Sequence, residues 1–185
     1  MNPLIFSLDV GSTHTGYAIL EGIGKLHRNK DYPTFGKVPN EELQVLIFDW
    51  YSKCHFAIEY PKYQFGMPFH DTHIRMVEWV GRIMQMIEDL GGKYYRVFRY
   101  REGVVMCNSP LTSDAKIRAA VIAIFGPPGT KKDPGPTYGV TGDVWQAIAV
   151  GTTYLKEGDS LAVESKRDEE KALKKVAPKP KIKIR

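Results

Sequence analysis

Cysteine is scarce in this chain. Cys54 and Cys107 are the only two among 185 residues and follow no metal-binding spacing, so neither a zinc motif nor a disulfide framework is expected, and the usage points to a reducing compartment. Long apolar runs are missing too. The apolar stretch near the start is cut by Asp9 and has no basic segment ahead of it, which argues against a signal peptide or a membrane span. No internal repeat is visible. Net positive charge is nearly absent from the body: from Lys156 onward there are ten Lys/Arg against six Asp/Glu, a net +4 of the formal +5. Residues 171–185 in turn contain no acid, but seven basic residues with Pro178 and Pro180. Such a segment buries too little apolar surface to fold and reads as a flexible basic arm. With 43% hydrophobic residues, the chain suffices for one domain with a sizeable core, and a second is not expected.

What is present begins with Leu4-Ile5-Phe6-Ser7-Leu8-Asp9-Val10-Gly11, followed by a second apolar run from Gly16 to Leu20. The pattern is strand, tight turn, strand, with Asp9 near the first strand's C-terminal end. An ionised carboxylate in a core strand needs a cation or strong donors, although an Asp before glycine also serves simply to accept turn hydrogen bonds. Phe56-Ala57-Ile58-Glu59-Tyr60-Pro61 repeats the arrangement, because Pro61 ends the ladder just after a carboxylate. In α/β sheets ligands gather at the carboxyl ends of strands, so Asp9 and Glu59 are expected to converge. Two carboxylates in one site repel unless a cation lies between them, which points to Mg²⁺, with Mn²⁺ as a substitute. A third acid, Asp143, follows Thr141 and Gly142 at the start of a small-apolar helical run, with Gln146 three residues on.

Four segments carry a resemblance. Asp9-Val10-Gly11-Ser12 with Gly16-Tyr17-Ala18, the Ile58-Glu59 strand end, Val80-Gly81-Arg82, and Gly142-Asp143 with Ala147-Ile148-Ala149-Val150 resemble, in this order and spacing, the RuvC family of Holliday-junction resolvases. Ser113-Asp114-Ala115-Lys116-Ile117-Arg118 and Pro134-Gly135-Pro136-Thr137-Tyr138-Gly139-Val140 are similar to RuvC-like proteins of bacteriophages. The resemblance spans roughly residues 3–155. It implies an α/β, RNase H-like fold with a mixed central sheet flanked by helices. Asp9, Glu59 and Asp143 become candidate catalytic metal ligands, with Gln146 as a candidate neutral fourth metal ligand or as the mark of a site weakened at one metal. The implied activity is magnesium-dependent cutting of four-way DNA by paired symmetric nicks. The implied state is a homodimer, and the implied location the cytoplasm of a bacterial or phage-infected cell. One departure stands out. The bacterial pattern has a second acid on the late helix, three residues after the first, and here that position is Gln146, able to offer a carbonyl oxygen but no charge. In two-ion chemistry, ions about 3.5–4 Å apart activate a water and stabilise the leaving 3′ oxygen.

The remaining body reads as a strand over 25–30, a helix capped by Asn40 to about Ser52, and a helix capped by Thr72 to Leu90 and closed by Gly91-Gly92. A strand to Phe98, a short helix and a Ser113-capped helix to Phe125 follow. In the long helix, Ile74, Val77, Val80, Ile83, Met84 and Ile87 recur at helical spacing as core or dimer positions, and Gly81 would let another backbone approach. Candidate nucleic-acid contacts are Lys62, Tyr63 and Phe65 in a ring-rich loop, and Lys131 and Lys132 in a Gly/Pro-rich loop expected near the metal site. Lys116 and Arg118 on a helix, and Lys174 and Lys175 in the arm, complete the set. For Lys116 and Arg118 a solvated face is the favoured reading, with phosphate contact as the alternative. The organisation is a nuclease domain over 1–157 and a charged tail over 158–185. Three alternatives stay open: a nuclease for other branched DNA or RNA, a non-catalytic DNA-binding module, and an actin-like phosphotransferase. The last would need two such domains and a second glycine-rich motif.

Overall fold

The computed structural model describes residues 3–61 and 70–158. Lys62, Tyr63, Phe65, Lys174 and Lys175 lie outside the described residues. The hairpin forms as expected from β1 (Leu4–Val10) and β2 (His14–Gly22), paired antiparallel so that Asp9 faces Gly16 across the ladder. β3 is Lys25–Leu26 only, shorter than the strand expected over 25–30, because Asn29 turns the chain by accepting the Asp31 amide at 2.8 Å. A strand not foreseen, β4 (Phe35–Pro39), pairs antiparallel with the first half of β2. α1 (Asn40–Trp50) follows, then β5 (Cys54–Tyr60), α2 (Asp71–Asp89), β6 (Lys93–Phe98), α3 (Arg99–Cys107) and α4 (Asp114–Phe125). A further helix, α5, covers residues 144–158. The sheet order is β3-β2-β1-β5-β6, with β5 parallel to both β1 and β6. It is a mixed six-stranded sheet with helices on both faces.

Period-two alternation decides which helix each strand residue meets. Phe6, Leu8, Val10, Tyr17, Ile19, Phe56 and Ile58 pack with Leu43 and Ile47 of α1 and Val80, Ile83 and Ile87 of α2. The opposite set, Ile5, Ala18, Leu20, Ala57 and Val97, packs with Ile117, Val121 and Phe125 of α4 and Val144, Trp145 and Ile148 of α5. Asp9 and Glu59 alternate into this second set. Small residues let α5 lie close on that face. A Cβ on Gly16 would fall 2.7 Å from the Asp143 carbonyl carbon, and one on Gly151 would fall 2.9 Å from Ser7 Oγ and Leu20 Cδ1.

The caps differ in detail from expectation. Asn40 is the first residue of α1 rather than its cap, α2 begins at Asp71 with His70 ahead of it, and neither His70 nor Ser113 caps through its side chain. Asn40 is fully buried for another reason. It accepts a hydrogen bond from Thr15 Oγ1 at 2.7 Å and donates to the Gly11 carbonyl at 3.1 Å, tying α1 to the β1–β2 turn. Among the described residues no helix is long and apolar enough to cross a membrane. Replacing Asn40 by Ala strands the Thr15 hydroxyl in the core, so Asn40→Ala is expected to cost about 1–3 kcal/mol in urea unfolding. Thr15→Val in that background should recover part of the loss, because it removes the stranded group.

Candidate active site

The parallel register aligns Leu8 with Ile58, so the next residues, Asp9 and Glu59, end neighbouring strands side by side. Their carboxyl groups hydrogen-bond each other. Burial, and then the Glu59 charge, push Asp9 up to about 9. Burial raises Glu59 as well, opposed chiefly by the Arg99 charge. Without a cation the pair therefore shares a proton.

The third acid arrives from the helix side. Asp143 precedes α5, its carbonyl accepting the Ala147 amide at 3.0 Å, and it rests against Gly16, the ladder partner of Asp9. Thr141 contributes its backbone carbonyl, not a side-chain cap, to the Val144 amide at 3.1 Å. The Asp143 charge is felt at Asp9, but its carboxylate is turned to Lys37 Nζ of β4 at 2.6 Å. Both members of that pair are more than 40% exposed, so the contact is worth only about 0–1 kcal/mol and is readily exchanged. Among the described residues no three His, Cys, Asp or Glu side chains close on a single point. The donor set nevertheless suits a hard divalent cation: two buried carboxylates that must share a proton, and a third held beside them by a weak surface pair.

Arg99, the first residue of α3, was not a sequence candidate. It donates through Nη1 to Gln146 Oε1 and, at 3.4 Å, to Glu102 Oε2, and through Nη2 to Asp114 Oδ1. Burial lowers its proton affinity, but Glu102, Glu59, Asp114 and Asp9 together more than offset that. Glu102 is fully buried, and burial followed by the Glu59 charge drives its carboxyl well above the usual range. Arg99 and Lys37 escaped notice because their partners come from distant segments, and the one local signal, Glu102 three residues after Arg99, is a spacing common on helix surfaces.

A cleft of about 410 Å³ opens beside these residues, lined by Asp114, Arg118, Thr141, Asp143, Trp145 and Gln146 among others. Arg118 lies over the Trp145 ring at 5.2 Å, so among the described basic candidates it is the one brought to the cleft. Lys116 is exposed on α4 and does not line it. Lys131 and Lys132 are exposed in the turn closed by the Gly129–Pro134 bridge and are not among the residues that line the cleft.

The overall architecture is shared with solved structures. RuvC from Thermus thermophilus matches with a TM-score of 0.57 at 13% identity, over 84% of this chain and 96% of that one. T. thermophilus RuvC in complex with Holliday junction substrate matches with a TM-score of 0.59 at 14% identity, over 83% and 93%. The fold is that of RuvC. No protein-family model and no curated protein sequence matches the chain. At this identity the RuvC likeness is one of architecture, and the side-chain chemistry rests on the residues described above.

The buried pair yields a direct test. In Asp9→Asn an amide donates to Glu59 where a shared proton is otherwise needed. Because the folded pair holds a proton that the unfolded chain releases above its ordinary carboxylate range, folding takes up a proton and stability falls as pH rises toward about 9. Asp9→Asn is therefore expected to raise the Tm of the metal-free protein, with a gain that grows from about pH 5 to pH 8. Asp143→Asn, exposed and weakly paired, should leave Tm within about 2 °C. An Asp9→Asn Tm at or below wild type across this range contradicts the buried-pair description.

Proposed function

We propose that this chain is a metal-dependent endonuclease that resolves four-way DNA junctions, with Asp9, Glu59 and Asp143 as its metal ligands. The observation that supports it is the side-by-side burial of Asp9 and Glu59 at two strand ends, with Asp143 seated over Gly16, in a RuvC-like fold. One of the solved RuvC structures is a complex with Holliday junction substrate, which favours a branched DNA as the partner of this chain too. Mg²⁺, or Mn²⁺ in its place, would supply Lewis-acid polarisation of the scissile phosphate and a water of lowered pKa. The chain's own part is to lose the proton shared by Asp9 and Glu59 on loading, to release Asp143 from Lys37, and to hold a phosphate at the cleft rim with Arg118. We assign the nuclease domain to 1–157 and a basic arm to 158–185, whose Lys174 and Lys175 would add salt-sensitive attraction to phosphates, as Lys62, Lys116, Lys131 and Lys132 would along the DNA path. Tyr63 and Phe65 would stack on unpaired bases at the branch point. A cytoplasmic location suits such a substrate.

Asp9→Asn, Glu59→Gln and Asp143→Asn are each expected to reduce Mg²⁺-dependent cleavage of a synthetic four-way junction by at least about a thousandfold, with junction affinity retained within about threefold. Equal cleavage of flaps, forks and junctions by the wild type would instead indicate a nuclease for other branched DNA. Junction binding with no metal-dependent cleavage would indicate a binding module.

Paired nicks in a two-fold junction require two active sites. On α2, Ile74 and Val77 remain 43% and 48% exposed, and Gly81, one turn further along the same stripe, has open space where a side chain would project. We assign this stripe to a second copy of the chain, packed helix to helix. Val77→Arg should convert a dimer to a monomer in light scattering and uncouple the two nicks while single-strand nicking persists. A Val77→Arg protein that stays dimeric places the contact elsewhere.

A further inference from the structure

The late helix presents Gln146 where the bacterial pattern has its second acid, and its side-chain oxygen already accepts a hydrogen bond from Arg99. We propose that the Arg99 guanidinium is a resident cation that takes the place of one of two metal ions, leaving a centre that binds a single divalent ion. This rests on the reading of Asp9, Glu59 and Asp143 as metal ligands.

Three observations carry it. The first is placement. Tyr60 pairs with Phe98 across β5 and β6, so Arg99 leaves the sheet one residue beyond the strand end that carries Glu59, and its charge acts on both Glu59 and Asp9. The second is fixation. The guanidinium forks to groups on three different helices, Glu102 on α3, Asp114 on α4 and Gln146 on α5, so it is held from several directions rather than swinging from a surface. Glu102 is fully buried under it, and its other oxygen, Oε1, has no hydrogen-bond partner among the described residues, so Arg99 is its principal support. A guanidinium in such a fork stays charged at any working pH.

The third is charge balance. Four carboxylates and two divalent cations sum to zero; three carboxylates, one divalent cation and one guanidinium also sum to zero. Replacing the fourth acid by neutral Gln146 is the change that keeps this balance when Arg99 stands in for an ion. Asp114, the guanidinium's partner on α4, is 82% exposed, so solvent screens its charge, and burial raises the Glu102 carboxyl well above its usual range.

Mn²⁺ titration followed by the EPR signal of the free ion reads the stoichiometry without reference to cleavage. The wild type is expected to bind one tight ion per chain, lost in Asp9→Asn. Gln146→Asp should still bind one, because the new carboxylate pairs with Arg99, whereas Arg99→Gln combined with Gln146→Asp should bind two. Arg99→Gln alone should bind its one ion about tenfold more tightly, through loss of a neighbouring positive charge. Two tight ions in the wild type overturn the inference and leave the metal-site reading standing, and this count decides even if the double variant fails to fold. A double variant that melts cooperatively yet binds one ion also overturns it. No tight ion in the wild type removes the metal-site reading itself, and this inference with it.

Discussion

Two carboxylates cannot sit together out of water without a proton or a cation between them, and this chain is built so that Asp9 and Glu59 do. Their adjacency follows from backbone hydrogen bonding, because the register of two parallel strands leaves no other place for them. Relief by moving apart would break the central ladder. The energy of that conflict is met by the surrounding groups instead: a shared proton, the charge of Arg99, and a helix start that brings Asp143 within reach. A site under such tension is what the proposed cation would relieve, because the fold has already collected the acids.

That collection depends on small side chains as much as on acids. Gly16 opposite Asp9, and Gly151 against Ser7 and Leu20, leave just enough room for α5 to lie on the sheet. Ser7 answers its own burial by donating to the Ala18 carbonyl at 2.9 Å. A larger residue at any of these positions would lift α5, and with it Asp143 and Gln146, away from the strand ends. Packing density on this face is thus a condition of the chemistry, whereas the α1 and α2 face, filled by Phe6, Phe56, Ile47 and Ile83, serves stability alone.

Much of this was legible in the sequence where local chemistry and final structure agree. The β1–β2 hairpin, β5, α4 and the α5 start are each marked by periodicity and a turn or cap residue, and the acids at strand ends stand out because such positions are usually apolar. What stayed hidden was non-local or irregular. β4 contains Gly36 and Pro39 and is nowhere fully buried, so it gives no alternating signal, and Lys37 was hidden with it. The strand expected over 25–30 was cut short by a turn at Asn29 that outweighs the β-propensity of its neighbours. Arg99 looks like any helix-start arginine until three elements close round it, its partners lying 3, 15 and 47 residues away.

Arg99 also shows how one architecture can carry different balances of charge. The RuvC fold dictates that a strand end, a neighbouring strand end and a helix start meet; it does not dictate how many acids they bring or which cations answer them. An arginine differs from a metal ion in that it arrives with the chain, at fixed stoichiometry and with fixed donor directions, and cannot dissociate when ion concentrations fall. It also cannot supply a water of lowered pKa, so it can stand only on the side of the site where charge is to be neutralised and not where the nucleophile is made. Gln146 accepts a hydrogen bond from Arg99, whereas Asp9 and Glu59 end neighbouring strands side by side, and in the division of labour we propose the resident cation answers the late helix while the exchangeable cation answers the strand ends.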